Sequence, residues 1–337
     1  MSIQAKSVFR SVIAAAAMSI AFGHAASAEM SVDRITVATG PAGTLYAQLG
    51  TALSTLIQEK TGIPSTARPH GGTSQYLPQL HRGEVLLGIN SGLDANSAFL
   101  GKEPYPQAMD QIRAVLVIAQ AKYSFIVRAD SDMNTVGDVK GKRVITSYRT
   151  LALFDDVNRA ILATAGLTEA DVTPVAETNV PSALKALTED RVDVTASILS
   201  IPAHREADAA IPGGTRVLGL GPNDEPVNAL PSFHVGMMQP GPASVGVKEP
   251  TKVAIYDSYL NTGAHANADD IYEVVKTTHE NWAELQKAVP ALRGMKADDI
   301  LPQKISHPFQ DGAIRYFKEI GLWTPEHDAQ QAAFLKK

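Results

Sequence analysis

The residues able to do chemistry cluster in five short segments rich in Gly, Ser, Thr and Asn: 40–44, 71–74, 90–91, 147–150 and 197–200. The first holds Gly40 and Thr44, with Tyr46 just beyond it. The second holds Gly72, Thr73 and Ser74, and the third Asn90 and Ser91. The fourth reads Ser147-Tyr148-Arg149-Thr150, and the last begins at Ser197 and ends at Ser200. Glycines let backbone N–H groups approach a ligand closely, and helix N-termini add partial positive charge. Such loops suit a carboxylate or another small oxyanion. A single loop of this kind serves a turn or a helix cap equally well. Recurrence at several strand ends favours a ligand, because parallel α/β domains bind ligands beyond the carboxyl ends of their strands.

Several other chemistries are excluded. The chain has no cysteine, so thiolate nucleophiles, disulfides, Cys-ligated zinc and iron–sulfur clusters are ruled out. Residues 40–44 lack the Gly-Lys-Ser/Thr ending of a phosphate-binding loop. Gly219-Leu220-Gly221-Pro222-Asn223-Asp224 lacks the third glycine of a dinucleotide fingerprint, and no Gly-x-Ser-x-Gly elbow occurs. His279-Glu280 has no second histidine at the spacing of a zinc protease. The nine histidines are scattered; His70 and His81 could meet in space, but lone loop histidines are the simpler reading. Asp155 and Asp156 fall in a helical first turn, where the macrodipole accounts for them. No cofactor or metal is expected. With 30 basic and 35 acidic residues the chain carries a net charge of −5, which argues against a nucleic-acid partner.

Alternating strands and helices must position these loops. A strand at Ile35 and Val37 stops at Gly40-Pro41-Ala42-Gly43, and Thr44 caps a helix with Leu45, Leu49, Leu53, Leu56 and Ile57 on one face. Strands follow at 65–68, 85–89, 112–119 and 123–127, with a short helix around Leu77 and Leu80. The run 85–89 is apolar throughout, as a parallel strand covered on both faces must be. The same order recurs from Val144 onward. Leu77, Leu80, Val85 and Leu87 match Leu184, Leu187, Val192 and Val194 at one constant displacement, which indicates two similar α/β domains. Helices are expected at 269–287 and 310–320, packed back on the first domain.

At the N-terminus, Lys6 and Arg10 precede an apolar run to Phe22 and an Ala26-Ser27-Ala28 cleavage site, the pattern of a signal peptide. Cleavage after Ala28 would remove two basic residues and no acidic one, leaving the exported chain more negative. No later run is long and apolar enough for a membrane helix, so no direct membrane insertion is expected. The expected division is a signal peptide at 1–28, a first lobe from 29–122 with 220–337, and a second lobe at 123–219. Crossings between lobes are expected near 122–128 and 214–221.

Four segments resemble one known group in order and spacing: Thr39-Gly40-Pro41-Ala42-Gly43-Thr44-Leu45-Tyr46, Gly71-Gly72-Thr73-Ser74, Gly137-Asp138-Val139-Lys140-Gly141-Lys142-Arg143-Val144, and His307 with Gly312-Ala313-Ile314-Arg315-Tyr316-Phe317. Together they resemble the TAXI group of solute-binding proteins of tripartite ATP-independent periplasmic (TRAP) transporters. The resemblance implies a two-lobed α/β fold of the type II periplasmic-binding class, with a hinge. It also implies capture of a small organic anion, a dicarboxylate or an amino-acid-like solute, for delivery to a TRAP membrane permease. One departure matters. Where that group has a Gly- and Ser-rich loop, this chain has Ser147-Tyr148-Arg149-Thr150. Arg149 is there a candidate carboxylate clamp, since a guanidinium grips a carboxylate through two parallel hydrogen bonds. Two alternatives stay open: an exported α/β enzyme acting on a small carboxylic acid, with Ser147 or Ser200 as nucleophile, and a ligand-sensing subunit of a signalling system.

Overall fold

The computed structural model describes residues 30–336; the signal-peptide segment and its cleavage site lie outside the described residues. Among the described residues, ten strands form one mixed sheet flanked by eleven α-helices. Parallel strands β1 (Ile35–Thr39), β2 (Ser65–Pro69) and β3 (Leu87–Ser91) open the first lobe, joined by α1 (Leu45–Thr61) and α2 (Thr73–Arg82). The α1 boundaries follow from its sequence. The Thr44 side chain accepts the Ala47 N–H at its start, and Gly62, at φ 75°, ends it in the left-handed conformation that glycine tolerates.

After α3 (Gly92–Leu100), β4 (Ile112–Arg128) runs through both lobes as one strand of 17 residues. Its first part pairs with the return strand β10 (Thr251–Gly263), and from Tyr123 onward it pairs with β7 (Val194–Ile198). The second lobe holds β5 (Arg143–Tyr148), α4 (Phe154–Thr164), β6 (Thr173–Glu177), α5 (Val180–Thr188), β7, α6 (Pro202–Ala210) and β8 (Thr215–Val217). β5 is parallel to both β6 and β7, repeating the pattern of the first lobe. Next come α7 (Glu225–Asn228), packed on α4, and β9 (Phe233–Met238), paired with β10. The chain ends in α8 (Ala268–Glu280), α9 (Trp282–Ala288), α10 (Asp311–Glu319) and α11 (Pro325–Leu335), with α8 and α9 against α1.

The order of elements agrees with the sequence reading, and several boundaries differ. The segments 112–119 and 123–127 are one strand, because Gln120 and Lys122 are solvent-side residues within it and not a break. The helix expected at 269–287 bends at Asn281 into α8 and α9. α3, α6, α7 and α11 fall outside the helices expected from sequence. Beyond β4, the chain passes between the lobes at 228–238 and again along β10, and not at 214–221. There β8 pairs with the end of β4, and the Gly221 N–H donates to Thr164 Oγ1 at 2.9 Å, inside the second lobe.

Candidate functional site

The ends of β1, β2, β5 and β7 meet across the gap between lobes. Gly40, Pro41, Thr44, Tyr46, Gly72 and Thr73 form one wall, and Leu151, Phe154, Val180 and Ile198 the other. The enclosed space is about 20 Å³, room for about one water molecule. The lobes are therefore closed on each other, and a solute using these walls must enter with them further apart. Two contacts define the closure. The Ala203 N–H on the first turn of α6 donates to the Gly43 carbonyl at 3.2 Å. A Cβ built on Gly72 would lie 2.1 Å from the Thr150 carbonyl oxygen. Gly72 has φ 173°, an extended conformation open to any residue, so its glycine is required by close approach.

No charged side chain lines this space. Behind Thr73, however, lies Asp94, almost fully buried on the first turn of α3. Its carboxylate accepts from Ser91 Oγ at 2.7 Å, Thr73 Oγ1 at 3.2 Å and Tyr105 Oη at 3.4 Å. Burial pushes its pKa up to about 6, and the three hydroxyls only partly offset that. While Asp94 is ionised, the Thr73 hydroxyl donates toward it, leaving the Thr73 oxygen as an acceptor for anything in the cleft. Tyr46 Oη sits 3.4 Å from Tyr256 Oη of β10, and Phe154 packs edge-on against Tyr256 at 5.6 Å. The aromatic floor thus joins both lobes to the crossing strand.

Of the residues singled out from sequence, Gly40, Thr44, Tyr46, Gly72 and Thr73 come together in the cleft wall. Ser74 is half-buried beside them on α2. Asn90 and Ser91 are buried below: Asn90 Oδ1 accepts from Asn261 Nδ2 at 2.9 Å, and Ser91 caps α3. Tyr148 is core, its hydroxyl donating to the Ala196 carbonyl. Ser147 is half-buried at an irregularity of β5. Arg149 is exposed, with its backbone N–H on the Glu177 carbonyl. Thr150 Oγ1 donates to the Thr178 carbonyl at 2.9 Å, holding the loop whose carbonyl meets Gly72. Ser197 is buried, its hydroxyl on the Ile198 carbonyl. Ser200 lines a neighbouring groove.

Ser200, His204 and Asp208 fall four residues apart on α6 and its approach, but their bonding is not that of a nucleophile and base. His204 Nδ1 accepts the Ser200 backbone N–H at 3.0 Å, and Ser200 Oγ accepts from the Val245 N–H. Burial lowers the His204 pKa to about 4, so the ring is neutral and its Nε2–H faces Thr215 Oγ1 at 3.0 Å. The Thr215 hydroxyl in turn donates to Asp208 Oδ1 at 2.6 Å. Both ring nitrogens are committed to structure, and neither is placed to take a proton from the Ser200 hydroxyl.

Sequence reasoning missed Asp94 and the apolar wall. Ser91 and Asp94 have the spacing of a capping box, which was the available signal. Leu151, Phe154, Val180 and Ile198 carried none, because apolar residues at these spacings read as core. Among the described residues, no group of three or more His, Asp or Glu could hold a metal ion.

Residues 37–321 match the NMT1-like family. The chain belongs to that family. Solved structures similar to this NMT1-like chain have the same two-lobed architecture. One, described as a periplasmic transporter, is 14% identical, with a TM-score of 0.54 over 90% of this chain and 96% of the other. Another, the periplasmic aliphatic sulphonate binding protein SsuA from Escherichia coli, is 17% identical, with a TM-score of 0.50 over 89% and 92%. The fold is therefore that of two-lobed periplasmic binding proteins. Among the described residues no helix is long and apolar enough to cross a membrane.

Proposed function

We propose that this chain is a periplasmic solute-binding protein, exported by its N-terminal signal segment. It captures a small organic anion between its lobes and hands it to a TRAP-type membrane permease. The observation that carries this reading is the closed cleft. Strand ends of two similar lobes meet face to face, and β4, β9 and β10 run between them, the construction of a clamp that shuts by bending at those strands. Membership of the NMT1-like family and likeness in fold to periplasmic binding proteins support it. The resemblance of 39–46, 71–74, 137–144 and 307–317 to TAXI proteins supports the TRAP partner. The bonding of Ser200 and His204 weighs against an enzyme. The test is mass spectrometry of small molecules released from the purified protein, followed by return of the recovered compound to the protein. An organic acid recovered unchanged after incubation, with a smaller radius of gyration in its presence, is the expected result. Conversion of the compound would refute a binding role.

A further inference from the structure

Beside the cleft lies a second groove of about 330 Å³, within the size range of small-molecule sites. Its floor is the part of β4 that passes between the lobes, at Gln120, Ala121 and Lys122. Three cations from three separate segments converge on it: Lys122 from β4, Arg205 from α6 and Arg293 from the loop after α9. No Asp or Glu lines it. Ile198 lines both this groove and the closed cleft, so the two spaces adjoin.

Lys122 makes the groove more than a patch of surface charge. It is half-buried, and burial lowers its ammonium pKa from the ordinary value with no acid acting in the opposite direction. Other lysines have partners: the exposed Lys60 pairs with Glu284, and the half-buried Lys252 with Asp224. Among the described residues, Lys122, Arg205 and Arg293 take part in no ion pair. Arg205 makes one hydrogen bond, to the Ala243 carbonyl at 3.2 Å, which holds its guanidinium on the groove wall. Withdrawing an ammonium from water without a counter-charge is costly. A half-buried, unpaired Lys122 on the floor of the groove, in a chain of net charge −5, departs from local stability where function is served; Arg205 and Arg293 are exposed and add charge at its rim.

We propose that this groove is an anion subsite. It holds the oxyanion group of a small solute, a carboxylate, sulfonate or phosphate, with Lys122 as the central contact and Arg205 and Arg293 at the rim. The body of the solute then lies toward Ile198 and the apolar wall of the cleft, away from the buried Asp94. This inference rests on the solute-binding reading and adds where the charged end goes.

The test is calorimetric titration of the full exported chain at low salt with succinate, ethanesulfonate and inorganic phosphate, and with succinamide as the uncharged counterpart. At least one anion is expected to bind, and succinamide to bind about tenfold more weakly or worse. Lys122→Met should lower the affinity for that anion about tenfold or more while raising the melting temperature in anion-free buffer, because the half-buried charge is gone. Arg293→Gln, on an exposed loop, keeps the test alive if the first variant folds poorly, and should weaken the anion by a smaller factor. Anion affinities within about twofold of wild type in both variants, or no heat from any of the three anions up to about 10 mM, would overturn the subsite. A recovered solute that is uncharged would also overturn it and leave the solute-binding reading standing. Absence of any recovered or stabilising solute would sink that reading itself.

Discussion

Gly72→Ala is a substitution whose effect can be worked from the closed cleft. The added Cβ would sit 2.1 Å from the Thr150 carbonyl oxygen, 2.7 Å from Thr150 Cβ and 2.8 Å from Thr150 C. Two of these are backbone atoms of the opposite lobe, so no side-chain rotation relieves them. Ordinary carbon contacts begin near about 3.5 Å, so the lobes must part locally by about 1–2 Å. That also stretches the hydrogen bond from Ala203 N–H to the Gly43 carbonyl, now 3.2 Å. Overpacking of this kind costs about 1–3 kcal/mol, and the cost falls on the closed state alone. Within its own lobe Gly72 is extended, and its three nearest neighbours all belong to Thr150. Since about 1.4 kcal/mol is tenfold in affinity, a solute whose bound state keeps this contact should bind about five- to a hundredfold more weakly. The melting temperature of the solute-free protein should change little. The assays are calorimetry with the co-purified solute and small-angle scattering with and without it. Affinity within about twofold of wild type, with an unchanged bound radius of gyration, would refute the argument that this contact closes the clamp.

Other consequences concern the buried groups. Asp94 has a folded-state pKa of about 6 against 3.8 as its ordinary value. The folded state therefore binds its proton more tightly, and this residue's contribution to stability falls as pH rises from about 4 to about 6, by up to about 3 kcal/mol. The stability of Asp94→Asn relative to wild type should rise over that window, measured by urea melts at each pH; a flat difference curve would show that Asp94 is not desolvated. His204 and His307 have pKa values lowered to about 4 and about 3 by burial, so their ring protons in NMR spectra should not titrate between about pH 5 and pH 8. A titrating signal from either would contradict its burial. Phe154 is buried between Tyr123 and Tyr256, with ring centroids 5.0 and 5.6 Å away. Phe154→Ala should cost about 3–5 kcal/mol in chemical denaturation, and a loss under about 1 kcal/mol would mean the wall collapses to fill the space.

The sequence by itself determined the order of elements and most of one cleft wall. Helical and alternating periodicities are local properties, so α1, α2, β1 and β5 could be read from apolar spacing and their Gly and Thr boundaries. Gly40, Thr44, Gly72 and Thr73 could be named because loops after parallel strands must face a ligand edge. Tertiary structure alone decided the rest. Gln120 and Lys122 looked like a break in β4 and prove to be the floor of a groove between lobes. Tyr148 looked like a ligand contact and is pinned to Ala196 in the core. Arg149 is exposed, whereas the cations that converge on a groove, Lys122, Arg205 and Arg293, lie far apart in sequence and have no shared motif. The apolar wall of Leu151, Phe154, Val180 and Ile198 has the same composition as core. What makes it a wall is that the opposite lobe, and not its own, covers it, and that depends on where β4 and β10 turn, which no local pattern encodes.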